Sequence, residues 1–98
     1  MIDPARWGRL TLKQQFGHVT SEFTRARIWE TRGDEPSRQE ALIRALEMID
    51  FALVCSSHPH RREWARLREV VSDCFAQTGV YAVSLSDLER YGLQFLAA

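Results

Sequence analysis

The chain has 98 residues, enough for one hydrophobic core but too few for a second domain of ordinary size. Hydrophobic residues make up 45% and charged residues 27%, a globular balance that excludes disorder on composition. Thirteen basic side chains offset thirteen acidic ones, so no global positive field exists to hold nucleic acid or an anionic membrane.

Residues 1–10 read as a short arm, because Pro4 and Gly8 discourage regular structure, with Trp7 tucked onto the body. The opening MIDPARWGRLT lacks the apolar run of a secretory signal, and no segment approaches the roughly 20 apolar residues of a membrane span. The expected location is the cytoplasm, with no membrane partner. Thr11 and Gln14 have capping-box spacing and predict the start of a first long helix. Leu12, Phe16, Val19, Phe23 and Ala26 then recur at steps of four and three, which places them on one stripe. Gly33 stands where a left-handed C-terminal residue belongs, and Gly33–Pro36 reads as a turn.

Ser37 with Glu40 gives a second capping box, predicting a helix to Val54 or Cys55. Leu42, Leu46, Ile49 and Leu53 form one row, and Ala41, Ala45, Met48 and Ala52 the next, so this helix needs at least two neighbours. Pro59 suits the first turn of a third helix, whose core stripe is Trp64, Leu67, Val71, Cys74 and Thr78, with Gly79 ending it. Residues 80–83 read as a short extended link. A final helix is capped by Ser84 with Asp87, or by Ser86 with Glu89, and packs through Leu88, Tyr91, Phe95 and Leu96. The expected fold is all-α: one domain over residues 1–98, an up-down-up three-helix bundle closed by a short fourth C-terminal helix.

Chemistry-bearing residues are sparse. Cys55, His58 and His60, with Glu63 nearby, are weak metal candidates, because they lack the paired spacing of a zinc finger or an HExxH helix; no metal or cofactor is expected. The predicted hairpin separates Cys55 from Cys74 by ~20 Å, too far for a disulfide, so buried free thiols are expected. Cys74 lies on an apolar stripe, and Ser56 and Ser57 beside His58 do not make a triad. There is no glycine-rich phosphate loop and no nucleophile elbow. The reading therefore leans away from an enzyme.

Twelve of the thirteen basic residues are arginine, Lys13 being the exception. Arg61, Arg62, Arg66 and Arg68 form a basic run that Arg25, Arg27 and Arg32 could join across the bundle, giving a nucleic-acid-binding accessory protein as the alternative function. Glu63, Glu69 and Asp73 are interleaved with that run, the pattern of a solvated, ion-paired helix surface. Glu22 with Arg25 and Arg44 with Glu47 are candidate local ion pairs. No arginine is followed after four to six residues by a histidine, so the motif of HEPN-type ribonucleases is missing. Ile28, Trp29, Ile43, Phe51 and Val54 depart from the apolar stripes, and clustered exposed apolar groups mark contact surfaces.

Ser21, Glu22, Arg25 and Ala26, then RALEMID from Arg44 to Asp50, LREV from Leu67 to Val70, and Tyr91, Leu93, Gln94 and Phe95 touch all the long predicted helices. In these pieces the chain resembles a family of small, uncharacterised prokaryotic helical proteins. The resemblance implies a compact helical domain and carries no activity or site residue. The leading expectation is a non-enzymatic protein-protein interaction module, self-associating or a small subunit of a larger assembly.

Overall fold

The computed structural model describes residues 3–55 and 58–97, without the His58 side chain, and all regular structure among them is helical. The helices are α1 (Pro4–Arg9), α2 (Leu12–Thr31), α3 (Glu35–Cys55), α4 (His58–Ala76) and α5 (Leu85–Ala97). No helix among the described residues is long and apolar enough to cross a membrane.

The expected arm is in fact a helix over its central residues. Asp3 caps it by accepting from the Ala5 N–H at 3.0 Å, and Pro4 takes the first position, where its missing N–H costs nothing. Trp7 is buried, and its carbonyl accepts from the Gln15 amide at 3.0 Å. The Thr11–Gln14 box forms reciprocally, at 3.1 and 2.9 Å. α2 then ends in a Schellman motif: Gly33 has φ 74°, and the Asp34 N–H reaches the Trp29 carbonyl at 3.0 Å.

α3 starts before the expected Ser37. Asp34 accepts from the Ser37 N–H at 3.0 Å, so the residue that closes α2 also caps α3. Pro36 fits within that first turn. α4 likewise ends ahead of Gly79. Gln77 takes the left-handed position at φ 57°, and the Thr78 N–H bonds the Asp73 carbonyl at 3.3 Å. The Ser84–Asp87 box opens α5, at 3.0 and 3.1 Å, while Glu89 serves elsewhere.

Asp73 organises the connection to α5. Its carboxylate accepts from the Thr78 hydroxyl and from the N–H groups of Val80 (2.9 Å) and Tyr81 (3.1 Å), which keeps the link out of extended pairing. The Thr78 bond lowers the Asp73 carboxyl below its ordinary range; burial opposes this, and the Tyr81 and Val80 amides add to it. A carboxyl lowered in the folded state supports the fold fully above its ordinary pKa and loses that support as pH falls through the lowered value. Acidification, or Asp73→Asn at neutral pH, is therefore expected to release residues 77–84. Hydrogen exchange at the Val80 and Tyr81 amides checks this, and unchanged protection in Asp73→Asn would contradict it.

The buried core draws residues from every helix, including Trp7, Phe23, Ile49, Val71 and Leu88. Phe16 stands at its centre, stacked on Trp64 at 4.2 Å and on Phe95 at 3.9 Å, with Tyr91 edge-on. The predicted stripes are buried or packed against this core, except that Thr78 lies beyond the end of α4 and is exposed.

Cross-links fix the helix directions. Glu22 meets Arg44 and Glu30 meets Arg38, so α2 and α3 run antiparallel. Thr24 and Arg27 both bond Glu89, and Phe16 meets Phe95, so α2 and α5 do too. Asp50 pairs with Arg68 and Arg38 with the Cys74 carbonyl, giving the same relation between α3 and α4. α2 packs on α3 and α5, α3 on α4, and α1 on α3. α4 and α5 are thus held by different neighbours and are not a principal packing pair.

Candidate functional site

The space between α4 and α5 is an open groove of about 360 Å³. On α4, Glu63, Arg66, Leu67 and Val70 fall at helical spacing along one side. The capping box at Ser84 sets the start of α5 and so turns Asp87, Leu88 and Tyr91 toward the same space. Val83, fixed by the Cys74 thiol donating to its carbonyl at 3.0 Å, closes one end. The lining is apolar through Leu67, Val70, Val83, Leu88 and Tyr91, and the charged groups stand at its edge. Glu63 and Arg66 make no ion pair among the described residues, whereas Asp87 is held by Ser84 and lies 3.8 Å from Arg90.

A second cavity, of about 260 Å³, lies under the α4–α5 connection. Its charged groups are already committed. Arg38, only 3% exposed, donates to Glu30 and Glu35 at 3.1 Å each and to the Cys74 carbonyl at 2.7 Å. Burial pushes the Cys74 thiol up, with the Asp73 charge adding to it, so it stays a protonated donor rather than a thiolate nucleophile. This network ties α2, α3 and α4 together.

The weak metal candidates are not assembled among the described residues, where no group of three or more His, Cys, Asp or Glu side chains is placed to hold an ion. Cys55 and His60 are exposed, and the His58 side chain and Ser56 and Ser57 lie outside the described residues. The expectation of two buried thiols is corrected: both are free, Cys74 buried but Cys55 exposed at the end of α3.

The arginines do not form one basic face. Arg25 pairs with Glu22, Arg27 with Glu89 and Arg68 with Asp50, each at 3.1 Å or less. Arg61, Arg62 and Arg66 are exposed on α4, but Arg61 and Arg66 lie roughly 140° apart around it. Arg66 belongs to the groove edge, while Arg61 shares the α3 side with Arg68. Arg44 reaches across to Glu22 at 3.1 Å instead of pairing with Glu47.

The predicted contact residues are likewise scattered. Ile28, Ile43 and Val54 are exposed, at 36%, 42% and 80%. Ile43 and Val54 share one side of α3, about 16 Å apart along the axis, with Glu47 and Asp50 between them. Trp29 is half-buried with the Arg32 guanidinium 5.2 Å above its ring. Phe51 is half-buried and packed against the core. Apolar residues instead come together along the groove, where Leu88 and Tyr91, expected only to pack the last helix, stand with Val70 and Val83. Comparison with known protein families, curated proteins and solved structures returned no match.

Proposed function

We propose that the protein is a non-enzymatic interaction module that docks an amphipathic helix of a protein partner between α4 and α5. The reading takes α2, α3 and α4 as an up-down-up bundle with α5 closing one side and leaving the groove as the working face. The observation that carries it is the apolar concavity between two helices that are each anchored elsewhere. Glu63 to Val70 spans seven residues, about 10.5 Å, which matches the i to i+7 reach of an amphipathic stripe. Such a helix places apolar side chains over Val70, Val83 and Tyr91, the half-buried members of the lining, and its flanking charges against Glu63 and Arg66. Mixed charge at the edge favours a partner helix with both signs on its flanks over a uniformly charged ligand.

The test reverses the edge charges, Glu63→Arg with Arg66→Glu, and measures mass by light scattering on protein gently isolated from its own source. Wild type is expected above the mass of one chain. The double variant should fall to one chain with unchanged helicity, and Ile43→Asp should behave as wild type. Retention of the assembly by the double variant, or a wild type that elutes as one chain, would contradict the reading. A mass of two chains with nothing else bound would place a second copy in the groove.

A further inference from the structure

We propose that Arg25 and Arg44, held by the buried Glu22, form a binding site for a phosphate group. Glu22 lies on α2 facing α3, its side chain 3% exposed, and both guanidiniums converge on one of its oxygens, Oε2, at 3.1 Å each. The two nitrogens are therefore within about 6 Å of each other, close enough for one oxyanion to touch both groups. Glu22 Oε1 is buried and receives no donor among the described residues, so neither arginine grips the carboxylate through its two-pronged edge. A purely structural Arg–carboxylate pair gains most from that bidentate fork. Arg44 donates from Nε to that oxygen, and Arg25 stands beside it as an ion pair through Nη1, which leaves the other N–H groups of both guanidiniums without a protein acceptor among the described residues. The side chains are 56% and 42% exposed, and no other acceptor engages either group among the described residues.

Two guanidiniums against one carboxylate leave a positive charge fixed on a rigid base. Glu40 and Glu47 stand one turn to either side of Arg44 on α3 and are exposed, so the wider field is not attractive. Recognition is consequently at contact range: a compact dianion that accepts from both forks gains enough, whereas a diffuse polyanion is repelled by the flanking acids. That selects a phosphate group, either free phosphate or a phosphate monoester. The site lies on the α2–α3 side and is independent of the groove.

The experiment titrates the full chain with inorganic phosphate, and separately with O-phosphoserine, at constant ionic strength, following arginine side-chain resonances. Saturable shifts are expected at Arg25 and Arg44, with Arg61 showing none. Arg25→Gln and Arg44→Gln should each weaken binding about tenfold, as loss of one charge-assisted contact requires. Glu47→Gln should tighten it. Arg44→Lys keeps the charge but loses the fork, and should also weaken binding if a glutamine variant fails to fold. Tighter binding of phosphoserine than of phosphate assigns the monoester, and equal binding assigns free phosphate. Absence of saturable shifts, or equal affinity in wild type and the arginine variants, would overturn the proposal.

Discussion

Phe16→Ala is expected to cost about 3–5 kcal/mol, the loss of a buried aromatic together with the cavity it leaves. Phe16 is 1% exposed and is sandwiched between Trp64 and Phe95, so its removal breaks contacts from α2 to α4 and α5 together. Those two helices have few contacts with each other, so nothing nearby can close the gap. Against a total stability of about 5–15 kcal/mol, the loss is a large share. In a denaturant titration the midpoint should fall with little change in slope, and the melting temperature should drop by more than about 12 °C. A cost below about 1 kcal/mol would mean that the aromatic stack does not bear the core.

Gly92→Ala is expected to destabilise, although the same change at an open helix position gains roughly 1 kcal/mol. Gly92 is buried where α5 crosses α2, and an added Cβ would lie 2.9 Å from Thr20 Cβ and Cγ2 and closer still to its hydroxyl. Those are atoms near the backbone of a rigid helix, and the Thr20 hydroxyl is committed to the Phe16 carbonyl at 2.7 Å. Either the helices separate or Thr20 changes rotamer and loses that bond. The expected cost is about 1–3 kcal/mol. Thr20→Ala should recover much of it, and a double-mutant cycle measures the coupling. A stabilising Gly92→Ala would show that α2 and α5 are not in close contact at this point.

The buried faces of the helices were legible in the sequence because periodicity reports directly on which side is apolar. Phe16, Val19, Phe23 and Ala26 are all buried as their spacing predicts, as are Ala41, Leu42, Ala45, Ile49 and Ala52. The Thr11 and Ser84 boxes were legible too, being wholly local. Misreadings arose where one residue could serve two local roles. Pro4 was read as a breaker, but with Asp3 before it, it starts α1. Ser37 was read as a cap, but Asp34 three residues earlier does that work. Gly79 was read as the end of α4, but the helix stops at Ala76 with Gln77 left-handed, and Gly79, left-handed too at φ 71°, lies in the link beyond.

The candidate sites were less legible, since they depend on which helices meet. Spacing placed Leu67 on one core stripe and Tyr91 on another, but it does not say that α4 and α5 stand apart. Phe51 lies off the stripes of α3, yet α1 packs on that helix and Phe51 joins the core. Arg44 was matched to Glu47 three residues along, whereas its partner is Glu22 on the neighbouring helix. Local spacing cannot anticipate a pair made across two elements.

The proposed docking places the partner between α4 and α5. A photoreactive residue in place of Arg66, at the groove edge, compared with one in place of Ile43 on α3, tests it directly in the native source. Cross-links from position 66 to a protein segment with apolar residues at i, i+3 and i+7, with none from position 43, are the expected result. Cross-links from position 43 alone, or from neither position, would contradict it.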